Sequence, residues 1–418
     1  MHTLKALLSA SLLALVGAAA TQAAENVTIS LAHANHPEVY QAVANEFMKQ
    51  NPDIQIKLQP AANDYDQLLQ TLLRGNITHE LPDVAFQSVN RIDVLTDNKM
   101  AQPIDKFLPG EADLEGQGYS SSLVDTCRFN GLTYCLPFAI SIPIIYYNPE
   151  LVKQAGGDPE HFPTNWEGII DLAKKIDALS DKTLGIYFSY YNHSSNWTTT
   201  ALITSLGGKL LSADGKSITF DSPAGMEMLQ LMHRFGEAGQ LDISLDQARQ
   251  AFAAGTLGIL STSSSHLAKL EQQAASQFKL ETAPWPMSEN GRLPAGGNGI
   301  FMFTKDPVKQ VAAWKFIKFA TGPVGQTIMV KDTGYTPVNT IALNEPELLG
   351  DYYKQNPNQR TAASEVRFIT RWDAFAGANG LKASNVFRDY VQSVVSLKRT
   401  PEEVMPKMVR DIAKLMPN

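Results

Sequence analysis

The run TYCLPFAISIPIIYYNPE, residues 133–150, decides the fold of this chain. It reads as a strand leaving one lobe, an apolar crossing, and a strand that runs into a helix start in a second lobe. Asn148 can cap that helix, Pro149 suits its first turn, and Gly156 and Gly157 end it. Ser141 is the polar residue inside the crossing, which places it beside a cleft between the lobes. Ile140, Ile142, Ile144 and Ile145 read as lobe packing. Just upstream, in DTCRFNGLTYC, Asn130 and Gly131 separate two β-prone runs, a hairpin signal. A two-residue loop there sets Cys127 opposite Tyr134, so direct pairing of Cys127 with Cys135 needs an odd loop. In an oxidising compartment these two cysteines form a disulfide that staples the hairpin; the alternative is two free buried thiols.

Working outward, NVTISL (26–31) alternates like a strand, a helix follows over Pro37–Gln50, and IQIKL (54–58) alternates again. A second helix over Tyr65–Arg74 leads through Gly75 to a short buried strand at Asp83–Phe86. Strands alternating with helices imply a mostly parallel sheet, whose ligands collect at the carboxyl ends of the strands. The loops to inspect are therefore His33–His36, Asn63–Tyr65 and Gln87–Arg91. Downstream, Thr164 or Asn165 caps a helix in which Trp166 belongs to the core. LGIYFSYYNHSSNW (184–197) is a strand that breaks into a polar, aromatic loop. Ser222 and Pro223 open a helix, Asp246–Ala254 carries a shorter one, and the strand Leu257–Leu260 runs into a hydroxyl-rich turn at Ser261–Ser265. Leu280–Pro286 reads as a second crossing, and Gly296–Gly299 as a glycine loop before a buried strand.

A chain of 418 residues favours two domains. Its net charge of -7, without Lys/Arg clusters, argues against a nucleic-acid partner and for a small one. Lys5, the apolar run Ala6–Val16 and the small residues up to TQAAEN have the layout of a cleavable signal peptide, residues 1–23, cut after Ala23. The expected address is the periplasm. The apolar run is shorter than the ~20 residues of a spanning helix, and no Cys follows it to carry lipid.

Catalytic and metal signatures are missing from the sequence. HANH pairs His33 with His36 but has no third ligand beside it, and no HExxH, Walker loop or GxSxG occurs. GGNG precedes a strand, which is not the setting of a dinucleotide fingerprint. Neither metal nor cofactor is expected; a carboxylate such as Asp373 keeps a secreted carbohydrate-active enzyme as the alternative class. What the loops offer is neutral hydrogen bonding with aromatic faces: Tyr65, Gln87, Asn90, Ser141, Trp197, Ser263, Ser264, Asn298, Tyr335, Trp372 and Asn385. Amides and hydroxyls can donate and accept around the rim of a sugar, and an indole or phenol can cover its face.

The stretch PFAISIPIIYYNPELVKQAGGDPEHFPTNWEGIIDLAKKI (137–176) resembles the crossing and following helices of the family 1 extracellular solute-binding proteins, the binding components of ATP-driven sugar importers. The resemblance continues through FAAGTLGILSTSSSHLAKL, GGNGIFMF, WKFIKFATGPVGQ, TGYTPVN and RTPEEV. It implies two α/β lobes joined by hinge crossings, a solute in the cleft, hinge closure read by a membrane permease, a monomer and no catalysis. The lobes would be residues 24–140 with 287–320, and 141–286 with 321–418. By position, Tyr65 resembles a ligand-contact tyrosine and Gln87, Asn90 and Arg91 a contact segment. Ser141 matches the ligand-facing crossing position, Trp197 an aromatic contact, Ser263 and Ser264 the hydroxyl pair, Gly297 the glycine-loop contact and Tyr335 the TGY tyrosine. Ser384 stands where glycerol-3-phosphate binders carry an arginine and maltose binders a tryptophan. A serine recognises phosphate less well than a forked guanidinium, so a sugar or polyol is expected over glycerol-3-phosphate or a glycerophosphodiester.

Overall fold

The computed structural model describes residues 26–108, 113–190, 196–212, 215–375 and 379–416. The expected signal peptide lies outside them. In chain order, the strands of the two main sheets are β1 (Val27–Ala32), β2 (Ile54–Leu58), β3 (Val84–Gln87), β4 (Cys135–Ser141), β5 (Pro143–Tyr147), β6 (Leu184–Phe188), β7 (Leu257–Ser263), β8 (Glu281–Ala283) and β9 (Gly296–Met302). The first sheet has the order β2-β1-β3-β9-β4 and the second β8-β5-β7-β6. Ser141 ends a strand of one sheet and Pro143 begins a strand of the other, so the chain changes lobe at Ile142.

Both sheets are mostly parallel in strand direction, as expected, with one reversed strand in each, β9 in the first and β5 in the second. β1 is parallel to β2 and β3, but β9 is antiparallel to β3 and β4. In the second sheet β6 and β7 are parallel while β5 is antiparallel to β7 and β8. The cause is the crossing itself. β4 leaves the first lobe and β9 returns to it, so the two run in opposite directions and pair that way.

Each lobe has its own core. The first packs Ile29, Leu31, Phe86, Ile300 and Met302 against Val43, Phe47, Phe316 and Ile317 of the helices Pro37–Gln50 and Pro307–Thr321. The second includes an aromatic group in which Trp166 meets Phe188, Phe235 and Trp285, the last with ring centroids 5.1 Å apart. The helix of Trp166 starts at Asn165, whose side chain accepts from the Gly168 N–H at 2.9 Å.

The division of the chain differs from expectation in two places. Met329, Val330, Tyr335, Ala342, Leu349 and Tyr353 pack in the first core, so residues 321–353 join lobe one, whereas Ala362 and Phe387 pack in the second. Leu280–Pro286 is no crossing, because β8 hydrogen-bonds along the edge of the second sheet. The return passes between Leu293, in the second core, and Gly296, the first residue of β9. Residues 296–299 are strand and not loop. At Gly297 (φ 100) a Cβ would lie 1.9 Å from the Ala139 carbonyl oxygen, so only glycine lets the two crossing strands approach this closely. The helix begun at Tyr65 runs through Gly75 to Thr78 and ends at left-handed His79.

Cys127 and Cys135 are bonded, with Cα atoms 5.2 Å apart. The hairpin has the two-residue turn at Asn130 and Gly131, both with positive φ, and the Tyr134 N–H donates to the Cys127 carbonyl at 3.0 Å. No odd loop is needed, in contrast to expectation. Cys135 is the first residue of β4, beyond the hairpin's paired residues Arg128–Thr133 and Phe129–Leu132, and the bond ties the hairpin to the first sheet.

Candidate functional site

A cavity of about 560 Å³ lies between the lobes. Lobe one contributes the three loops at the carboxyl ends of its parallel strands: Asn35 and His36 after β1, Asn63–Asp66 after β2, and Ser88, Asn90 and Arg91 after β3. The crossing supplies Ser141, Gly296 and Gly297. The far wall is Ser189, Trp197, Thr198, Ser244–Asp246, Arg249, Thr262, Ser263, Ser265 and His266, with Trp372. Tyr335, packed in the first core, closes one side.

Of the residues expected at the site, Tyr65, Asn90, Ser141, Trp197, Ser263, Gly297, Tyr335 and Trp372 line this cavity. Gln87 and Asn298 do not; both are fully buried behind it. Gln87 Nε2 donates to the Tyr65 carbonyl at 3.1 Å, and Asn298 Nδ2 donates to the hydroxyls of Tyr65 at 2.8 Å and Tyr40 at 3.0 Å. Tyr65 is thus held at its backbone and at its tip. Ser264 is also fully buried, turned from the cavity with its N–H on the Ile142 carbonyl at 2.9 Å. Ser384 lies on the buried face of the helix Gly380–Val395 with Ala383 and Phe387, and Asn385 faces solvent, so neither reaches the cavity.

Trp197 is a wall as much as a surface. Its indole N–H donates to the Pro294 carbonyl at 2.9 Å, and a Cβ on Gly296 would lie 2.8 Å from its ring. The indole of Trp372 stands 6.4 Å from it at 58°. Buried polar atoms without a partner among the described residues include Asn90 Nδ2, Trp372 Nε1 and Asp66 Oδ2, all on cavity-lining residues, and each such atom calls for an explanation.

Both arginines of the cavity are already engaged. Arg91 Nη2 lies 2.7 Å from Asp66 Oδ1, and Arg249 pairs with Asp246 on its own helix, Leu245–Ala253. Arg249 Nη1 also lies 3.0 Å from His266 Nδ1. Burial, helped by Arg249, His36 and Lys269, pushes His266 down to about 3, so near neutral pH its ring has a free nitrogen to accept from the guanidinium. Burial also lowers His36, against the pull of Glu38, and raises the phenols of Tyr65 and Tyr335, which stay neutral. Among the described residues no group of three or more His, Cys, Asp or Glu could hold a metal ion.

Sequence reading missed Asp246, Arg249 and His266. Asp246 and Arg249 share the helix Leu245–Ala253, whose buried residues are Ala248 and Phe252, and nothing local marks Arg249 as facing a cleft. His266 was one residue beyond the hydroxyl-rich turn.

Comparison with known proteins supplies the relationship. Residues 42–361 match the family described as bacterial extracellular solute-binding proteins. The sn-glycerol-3-phosphate-binding periplasmic protein UgpB of Salmonella typhimurium is 24% identical over 292 residues, 65% of this chain and 65% of that protein. The Escherichia coli K12 protein of the same name is 23% identical over the same shares. The alignment thus spans just under two thirds of the length of these curated relatives. UgpB from Mycobacterium tuberculosis in complex with glycerophosphocholine superposes with a TM-score of 0.81 at 22% identity, covering 92% of this chain and 97% of that one. The cyclic alpha-maltosyl-1,6-maltose binding protein from Arthrobacter globiformis gives 0.77 at 18%, covering 93% and 99%. With a family match over most of its length and the two-lobed architecture around a cleft, the chain belongs to the bacterial extracellular solute-binding proteins.

Proposed function

We propose that this protein is the periplasmic, monomeric binding component of an ATP-driven importer, that it takes a carbohydrate or polyol into the interlobe cavity, and that it delivers it to a membrane permease. The observation that carries the reading is the chemistry of the cavity wall: amide, hydroxyl and aromatic groups, with each arginine already paired to a carboxylate. Such a wall suits a neutral solute with many hydroxyls, whose faces can rest on Trp197 and Trp372. Closure about the crossing at Ile142 would shift the population towards a form the permease reads. The relatives' names make sn-glycerol-3-phosphate or a glycerophosphodiester the competing solute, and engaged arginines weigh against it. Asp373, the carboxylate on which an enzymatic reading would rest, does not line the cavity and pairs with Arg371 at 3.6 Å.

The test is a thermal-shift screen of sugars, polyols and phosphate esters followed by calorimetry, since a ligand that binds only the folded form raises its melting temperature. A neutral ligand whose affinity barely changes with salt supports the reading. Binding restricted to phosphate esters, and weakened by salt, would replace it with the competing one.

A further inference from the structure

The cavity contains a guanidinium that could grip a phosphate, and a neighbouring carboxylate holds it. We propose that Asp246 is a specificity-determining residue: by occupying Arg249 it keeps phosphate-bearing solutes from using that arginine. The inference rests on the neutral-solute reading above and names what enforces it in the second lobe.

Arg249 and Asp246 both line the cavity, three residues apart in the first turns of the helix Leu245–Ala253. That helix begins at Ser244, which lines the cavity together with Leu245; the Ser244 side chain accepts from the Gln247 N–H, and the Gln247 side chain accepts from the Ser244 N–H. An arginine and a helix amino terminus both favour an anion. Asp246 opposes both: it fills one side of the guanidinium fork and places its own negative charge at the helix start. His266, from the turn after β7, takes the other side of the fork at 3.0 Å. Between them the two partners leave Arg249 fixed in direction and without net charge to offer.

The pair is also accessible. The Asp246 side chain is 68% exposed and that of Arg249 21%, so the carboxylate can be removed without leaving a charge in the core. By contrast the Arg91–Asp66 pair is nearly inaccessible and cannot be unmasked without disturbing the lobe.

The test compares the unaltered protein, Asp246→Asn, the double variant Asp246→Asn with Arg249→Gln, and Asp64→Asn. Each is titrated calorimetrically with sn-glycerol-3-phosphate and, in parallel, glycerol. Asp64→Asn makes the same charge change in the cavity wall at a carboxylate that holds no arginine, and Asn keeps its helix cap. Asp246→Asn should bind the phosphate ester at least about tenfold more tightly than the unaltered protein at low ionic strength, and lose most of that gain at about 0.5 M salt. The gain should vanish in the double variant and be absent in Asp64→Asn. An equal gain in Asp64→Asn would reduce the effect to net charge and overturn the masking. No gain in Asp246→Asn, with weak phosphate binding by the unaltered protein, overturns the masking alone. Tight, salt-sensitive phosphate binding by the unaltered protein overturns the neutral-solute reading and the masking with it. Circular-dichroism melts verify folding, and Asp246→Ser serves as a second variant should the asparagine destabilise the helix start.

Discussion

The two arginines of the cavity are in opposite circumstances. Arg91 and Asp66 are 8% and 11% exposed at their side chains, whereas Arg249 and Asp246 are 21% and 68% exposed. The first pair is part of the interior of lobe one, and the second is a surface pair on a helix of lobe two. An ion pair in water contributes about 0–1 kcal/mol, while removing one partner of a buried pair costs ~3–5 kcal/mol because a charge is left without compensation. The difference teaches that one chemical motif can serve as framework in one wall and as an adjustable element in the other.

The largest expected effect tests the framework side. Asp66→Asn should lower unfolding free energy by ~3–5 kcal/mol in urea denaturation, and a loss under about 1 kcal/mol would place this pair with the exposed one. Next, Asn298→Ala removes the amide that holds Tyr65 and Tyr40 inside lobe one, and should cost about 1–3 kcal/mol by the same measurement. An unchanged midpoint would mean the two phenols need no such support.

The third prediction concerns pH and the lobe-two wall. Burial holds His266 at about 3, below its ordinary 6.5. Between those values the unfolded chain takes up a proton that the folded one refuses, so this contribution to stability is full above 6.5 and shrinks on acidification through the window. His33 and His36 shift in the same direction, and the carboxyls of Asp93, Glu365 and Asp373, raised by burial, act in the opposite one. His266→Gln should therefore flatten part of the fall in melting temperature between about pH 7 and about pH 4. Parallel profiles for variant and unaltered protein would show that His266 is solvated after all. The smallest effect is the stability change in Asp246→Asn, expected below about 1 kcal/mol; a larger one would erase the contrast between the two pairs.

The same contrast explains how much could be read from the chain. Lobe one follows local rules. Its βα units alternate in the sequence, and the loops singled out at the ends of β1, β2 and β3 all contribute to the cavity. Ser141 was visible because it is a polar residue in an apolar crossing. Lobe two builds its wall from positions with no local mark: Arg249 is one more charge on a helix, and its role depends on where β7 ends and His266 turns back. Ser384 failed for a related reason. Position in a family pattern does not fix helix rotation, and the face it occupies belongs to Phe387 and Ala383. Gly296–Gly299 looked like a loop because glycine is rare in strands, yet the close approach of β4 and β9 requires it there. Trp197 was legible as an aromatic at the site. Its second role, wedged against Gly296 with its N–H on Pro294, came only from the packing.

The disulfide provides a clock. Cys127 and Cys135 are fully buried in a small core with Leu68, Leu69 and Leu72 of the helix that starts at Tyr65, and with Val89 and Ile92, which flank Asn90 and Arg91. At Gly299 a Cβ would lie 2.6 Å from the Cys135 sulfur, so the β9 backbone covers the bond directly. A thiol reductant must wait for this part of lobe one to open before it can attack. Its reaction rate therefore counts openings of the wall that holds Tyr65 and Arg91, with no label and no knowledge of the solute. A solute that holds this wall shut should slow the count.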